Sequence, residues 1–99
     1  MKFLFLDDDE TRLAKVKSMC PWVVLTRTAN ETILALQRQE WDWVSLDHDL
    51  GDKIMVDSNN SNTGMEVVRW IIENKPKIDY IIVHSFNPIG ALRMHHALY

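Results

Sequence analysis

The chain has 99 residues, of which 46% are hydrophobic and 25% are charged, and its net charge is −3. This balance is too apolar for a disordered chain and too charged for a membrane protein, and the length suits one domain over residues 1–99. A single cysteine excludes an intramolecular disulfide, and the net acidity argues against a broad surface for duplex nucleic acid. We therefore expect a cytoplasmic globular domain without a membrane segment.

Four apolar runs of strand length alternate with segments of helical periodicity. The runs are Lys2–Leu6, Trp22–Thr26, Trp43–Leu46 and Tyr80–Val83. The helical segments are Leu13–Cys20, Ala29–Glu40, Met65–Ile72 and Ile89–Leu98. The first, third and fourth runs are nearly continuous, which is typical of parallel strands covered on both faces. The alternation predicts a parallel α/β sheet with right-handed crossovers.

Helix starts carry capping signals. Thr28–Glu31 and Thr63–Glu66 fit capping boxes, Asp8 or Asp9 can cap the first helix, and Asn87 precedes a proline at the start of the last.

One polar stretch interrupts the alternation. Residues 51–62 are rich in Ser, Asn and Asp and are long for a loop between a strand and a helix. The stretch is either a functional lid or a tolerated insertion.

Acidic and imidazole side chains follow three of the four predicted strands. The three groups are Asp7-Asp8-Asp9-Glu10, Asp47-His48-Asp49 and His84-Ser85-Phe86-Asn87-Pro88. In an open parallel sheet, ligands bind at the carboxyl ends of the strands. If these strands are neighbours, the acids repel each other in one crevice, and a divalent cation would relieve the repulsion. Carboxylate oxygens suit Mg²⁺ or Mn²⁺, so we expect activity to depend on one of these ions.

Arg12 follows the first acids within one helical turn. It either faces the crevice or pairs with an acid on the surface.

Some of these positions resemble the receiver domain of bacterial response regulators. The resemblance implies that Asp7 and Asp8 hold Mg²⁺, that Asp47 accepts a phosphoryl group and that Ser85 contacts it. Receivers also have a fifth strand with an active-site lysine, which we do not expect before Tyr99, and they lack a histidine beside the phosphoacceptor.

The two longer motifs Ser45–Gly51 and Val83–Pro88 resemble more closely the family of cyclic-phosphate processing receiver-like domains. The matching segments are Leu6–Glu10, Leu46–Gly51, Thr63-Gly64 and His84–Pro88. The resemblance implies a short flavodoxin-like three-layer sandwich, with a four-stranded parallel sheet of order 2-1-3-4 and flanking helices. It also implies the opening or hydrolysis of cyclic phosphates or cyclic nucleotides.

The residues themselves suit that reaction. His48 and His84 are predicted to act as acid and base near neutrality, in an order left open, with Asp49 orienting a histidine. A metal bound by Asp7, Asp8 and Asp47 would polarise the phosphate or its water. Ser85, Asn87 and Thr63 are the predicted phosphate-binding residues.

Three functions follow from these observations. The leading hypothesis is a phosphoesterase that acts on a small cyclic nucleotide or on an RNA end bearing a cyclic phosphate. The alternatives are a degenerate receiver phosphorylated on Asp47, and a non-catalytic protein that sequesters the cyclic nucleotide or phosphate.

Overall fold

The computed structural model describes residues 2–47 and 63–84, and within them four strands alternate with three helices. The strands are β1 Phe3–Leu6, β2 Val24–Thr26, β3 Trp41–Leu46 and β4 Ile78–Val83. The helices are α1 Glu10–Met19, α2 Ala29–Arg38 and α3 Gly64–Asn74. None of the helices in these ranges is long and apolar enough to cross a bilayer.

The strands form one parallel sheet in the order β2-β1-β3-β4. The sheet order and the flavodoxin-like α/β class expected from the sequence are thereby confirmed. The order makes β1, β3 and β4 consecutive neighbours, so the three strands that end in acids or a histidine lie side by side.

Helices α2 and α3 cover one face of the sheet and contact each other. The alternate residues of β1 and β3 that face them are Leu4, Leu6, Val44 and Leu46, all fully buried. From α3, the buried side chains are Val67, Val68 and Ile71, spaced as one helical stripe. This layer is the larger part of the core.

Helix α1 packs on the opposite face through Leu13, which contacts Phe5 of β1 and Val23. Because side chains alternate along a strand, Phe5 and Asp7 point to this face while Leu4 and Leu6 point to the other. The Asp7 side chain at the end of β1 therefore lies on the face of the sheet that α1 covers.

All four strands end where hydrophobicity predicts, but each begins at a different residue: β1 begins one residue later than predicted, and β3 begins two residues earlier, at Trp41. The strand β2 begins at Val24 because the preceding residues form a turn, in which the Val23 amide donates to the Cys20 carbonyl at 3.0 Å. The strand β4 begins earlier, at Ile78, and is one of the two outer strands of the described sheet. Tyr80 is 59% exposed and Ile82 is 41% exposed, so the described residues leave one face of β4 partly exposed, whereas its apolar run predicts a strand covered on both faces.

The predicted helix caps are confirmed within the described ranges. Asp9 caps α1 by accepting the Thr11 and Arg12 amides, and Thr28 and Thr63 cap the two following helices. At the other end of α3, Lys75 has a left-handed backbone with φ of 50°, and its amide donates to the Ile71 carbonyl. This conformation, followed by a proline, ends the helix and directs the chain into β4.

Candidate functional site

Backbone hydrogen bonds continue one residue beyond the ends of the strands. The Asp7 amide donates to the Thr26 carbonyl, the Asp47 amide to Leu6, and the His84 amide to Leu46, at 3.1, 3.1 and 2.9 Å. The first residue after each of three neighbouring strands is thus fixed by the sheet itself. The predicted meeting of Asp7, Asp47 and His84 at one edge is confirmed.

Asp7 is completely buried, and Arg12 binds both of its carboxylate oxygens. The Arg12 Nε lies 2.7 Å from Oδ2 of Asp7, and Nη2 lies 2.9 Å from Oδ1. The Asp9 amide also donates to Oδ1 at 2.9 Å. Burial raises the pKa of Asp7, but the hydrogen bonds from His84, Arg12 and the Asp9 amide outweigh it and hold that pKa well below its usual value. Asp7 is therefore a fixed negative charge at the base of the site.

His84 bridges β4 and β1 above the middle strand, β3. Its Nε2 lies 3.1 Å from Oδ2 of Asp7, and its Nδ1 lies 2.6 Å from Oγ of Ser45 on β3. The ring stacks on Phe5, with centroids 4.5 Å apart and planes 10° from parallel. An ionised carboxylate only accepts hydrogen bonds, so Nε2 carries the proton, and in the neutral ring Nδ1 accepts the Ser45 hydroxyl. Both ring nitrogens are engaged by the protein.

The three predicted metal ligands lie together. One carboxylate oxygen each from Asp7, Asp8 and Asp47 can be chosen so that all lie within 4.8 Å of one another. Oxygens on opposite sides of a Mg²⁺ ion are about 4.2 Å apart, because each bond is about 2.1 Å. The donor set and its spacing therefore fit a hard divalent cation after a small closure.

Arg12 extends from α1 over this acid cluster. Besides Asp7, its guanidinium lies 3.6 Å from Asp9 and 3.9 Å from Asp47. Of the two positions that the sequence left open for Arg12, the structure adopts the one facing the site. Its side chain remains 31% exposed, whereas that of Asp7 is 0% exposed.

Several predicted site residues lie outside the described ranges. They are His48, Asp49, Ser85 and Asn87, and with them the loop 51–62 and the helical segment Ile89–Leu98. Thr63 is described, and it is buried at the start of α3, where its hydroxyl accepts the Glu66 amide at 3.4 Å. Its role in phosphate binding stays a prediction.

Sequence reasoning missed Ser45 and Phe5, which hold His84 in place. A signal for both was present in the strand periodicity. Phe5 lies two residues before Asp7, and Ser45 two residues before Asp47, so each pair shares the face that carries the site.

The fold and the acidic strand ends define a receiver-like domain, and solved structures agree. The signal receiver domain of a protein described as the Luxo repressor of Vibrio parahaemolyticus is 18% identical, with a TM-score of 0.59, over 98% of this chain and 85% of that one. A MaeR response regulator bound to beryllium trifluoride is 14% identical, with a TM-score of 0.61, over 100% of this chain and 80% of the other. At these identities the similarity establishes the fold.

The family model of the cyclic-phosphate processing receiver domain matches residues 2–99, and the chain belongs to that family. The comparison with curated proteins finds no match.

Proposed function

We propose that this domain is a metal-assisted phosphoesterase that opens cyclic phosphates in the cytoplasm. Its substrate would be a small cyclic nucleotide or an RNA end that carries a cyclic phosphate. One observation carries the proposal. The acid cluster and the His84 imidazole lie at the ends of three neighbouring strands, and the Arg12 guanidinium reaches them from α1. Membership of a family named for cyclic-phosphate processing supports the choice of substrate class.

The acid cluster supplies the proposed metal site, with Asp7, Asp8 and Asp47 as ligands. A bound divalent cation would neutralise the phosphate and lower the pKa of an attacking water. Without a cation, the same carboxylates repel a phosphate, because like charges face each other in a poorly solvated site. Arg12 offsets only part of this negative charge.

The reaction needs one proton to leave the attacking water and another to reach the leaving oxygen. The water oxygen attacks phosphorus, one bond from phosphorus to an ester oxygen breaks, and the ring opens to an alcohol and an acyclic phosphate. His84 has both nitrogens engaged, which favours a positioning role toward Asp7 over direct proton transfer. His48 remains the predicted acid or base, with Asp49 orienting it and Ser85, Asn87 and Thr63 binding the phosphate.

The direct test is turnover of cyclic mononucleotides, cyclic dinucleotides and an oligonucleotide with a 2′,3′-cyclic end, each with Mg²⁺ or Mn²⁺. We expect an acyclic product from at least one substrate and a loss of about 100-fold or more in Asp47→Asn or in EDTA. Asp79→Asn is the matched control, because it also removes one carboxylate but lies exposed at the start of β4, at the other end of that strand from His84. Full activity in EDTA contradicts the metal requirement. Stoichiometric binding without product identifies a sequestering protein instead.

A second function is favoured by the position of Asp47. It follows β3 directly, is 2% exposed and lies beside Asp7 and Asp8 in a receiver fold. That placement suits an aspartate that accepts a phosphoryl group from a small donor and releases it by hydrolysis. Incubation with acetyl phosphate and Mg²⁺ would then give a phosphorylated protein, detected by mass spectrometry, that Asp47→Asn abolishes. Labelling that survives in Asp47→Asn excludes this residue as the acceptor.

A further inference from the structure

The Asp7 carboxylate is saturated by donors from the protein. A carboxylate offers about four lone-pair positions on its two oxygens. Oδ1 accepts from Arg12 Nη2 and from the Asp9 amide, and Oδ2 accepts from Arg12 Nε and from His84 Nε2. A metal ion can bind this carboxylate only if one of these donors leaves.

We propose that Arg12 is the resident cation of the acid cluster and that it competes with a divalent metal for Asp7. This inference rests on the metal site of the proposed function, and it adds that Arg12 limits how much metal that site binds. In the metal-free protein, the guanidinium fills both oxygens of Asp7 and lies close to Asp9 and Asp47. Metal binding then exchanges one cation for another.

Of the four donors, the two from Arg12 are the ones that can move. The Asp9 amide belongs to the backbone at the start of α1, and His84 is fixed by Ser45 and by its stack on Phe5. The Arg12 side chain is partly exposed and reaches the cluster from the surface of α1, so it can turn outward without disturbing the core. Its departure frees one position on each oxygen of Asp7.

The competition lowers the metal affinity of the native protein. When a site binds only in a minor state, the apparent dissociation constant rises by the inverse of the fraction in that state. If Arg12 occupies Asp7 for about nine tenths of the time, its removal should strengthen metal binding about tenfold. A guanidinium that merely supported the metal site would have the opposite effect on removal.

The experiment is a titration of the full chain with Mn²⁺ alone, with free Mn²⁺ measured by electron paramagnetic resonance. The variants are Arg12→Gln and, as control, Arg27→Gln, which removes the same charge from a pair of similar geometry with Glu10. We expect Arg12→Gln to bind Mn²⁺ about tenfold more tightly than the native chain, and Arg27→Gln to stay within about twofold.

Equal or weaker binding by Arg12→Gln overturns the competition. If the native chain nevertheless binds Mn²⁺, the metal site of the proposed function stands without it. If neither protein binds at millimolar Mn²⁺, the metal site fails as well.

A second measurement needs no substitution, and it applies if Arg12→Gln does not fold. In the native chain, Mg²⁺ should shift the Nε–H nuclear magnetic resonance signal of Arg12, because its bond to Asp7 breaks, and leave that of Arg27 in place. Saturating Mg²⁺ that leaves the Arg12 signal unchanged overturns the proposal.

Discussion

His84 Nε2 and Asp7 Oδ2 lie 3.1 Å apart although their strands are separated by β3. The imidazole spans the middle strand by resting on Ser45 and stacking on Phe5. The residue that follows the outer strand β4 thereby orients the Asp7 carboxylate at the end of the inner strand β1.

The first prediction concerns that link. His84→Ala should weaken Mn²⁺ binding about 10- to 100-fold. It frees one lone pair of Asp7 Oδ2, but Arg12 still binds both oxygens and the carboxylate loses the donor that orients it toward the cluster. His84→Gln keeps an N–H near the position of Nε2 and should restore most of the affinity. His84→Asn places its amide near the position of Nδ1, toward Ser45, and leaves Asp7 without this donor, so it should not. Equal affinities for the Gln and Asn variants would argue against a positioning role.

Ser45→Ala should lower the free energy of unfolding by about 1 kcal/mol, because the buried hydroxyl and Nδ1 of His84 lose their hydrogen bond. Urea unfolding measures the change. Ser18→Ala removes an exposed hydroxyl bonded to the Lys15 carbonyl, and it should change stability by less than about 0.5 kcal/mol. If Ser45→Ala is as stable as Ser18→Ala, the hydrogen bond between Ser45 and His84 contributes nothing to the stability of the fold.

The low pKa of Asp7 predicts how stability depends on pH in the metal-free protein. The usual pKa of the group is 3.8, and the folded value lies below it. A group with a depressed folded pKa stabilises fully above its unfolded pKa, and this contribution is lost as the pH falls through the folded value. Native stability should therefore fall more steeply below about pH 4 than that of Asp7→Asn, which lacks the titrating carboxyl.

Urea unfolding of both proteins at pH 7, 5, 4 and 3 checks this difference. Asp7→Asn should also be less stable at pH 7, since the substitution leaves Arg12 without its principal partner. If the free energies of unfolding of the two proteins fall in parallel below pH 4, the ionisation of Asp7 does not determine the loss of stability in acid.

Lys75→Gly should stabilise the fold by about 1 kcal/mol, because a left-handed backbone is unfavourable for a residue with a Cβ and natural for glycine. Thermal unfolding should shift upward by about 4–8 °C. Lys77→Gly is the control, two residues further along the same connection, where glycine brings its entropic cost and removes only an exposed pair with Glu40 at 3.9 Å. A similar loss of stability in both variants would contradict the prediction.

Much of the fold follows from the sequence because the polarity pattern changes with each element. The apolar runs and the cap at Thr28 predict the α/β alternation, whereas the sheet order came from the family motifs. The start of β2 was harder to predict. Trp22 is as apolar as a strand residue, yet it lies in a turn after Pro21 and is 57% exposed. Hydrophobicity alone does not distinguish an apolar residue in an exposed turn from one in a strand.

The candidate site was predictable where it depends on strand ends, and less so where it depends on helix rotation. Asp7 and Asp47 follow apolar runs, so parallel strands necessarily bring them to one edge. The side on which Arg12 lies depends on how α1 is turned against the sheet, which the packing of Leu13 on Phe5 decides. The contact of Ser45 with His84 required the strand order as well as the alternation.

The bond between His84 and Asp7 joins residues 77 positions apart, nearly the full span of the described chain. Parallel strands have no local hairpin to nucleate them, so such a contact forms only after the intervening crossovers are in place. A folding intermediate without β4 would contain Asp7 and Arg12 but would lack the His84 imidazole that binds Asp7. Assembly of the site is therefore a late event in folding, and protection of the His84 amide from hydrogen exchange would report when it is finished.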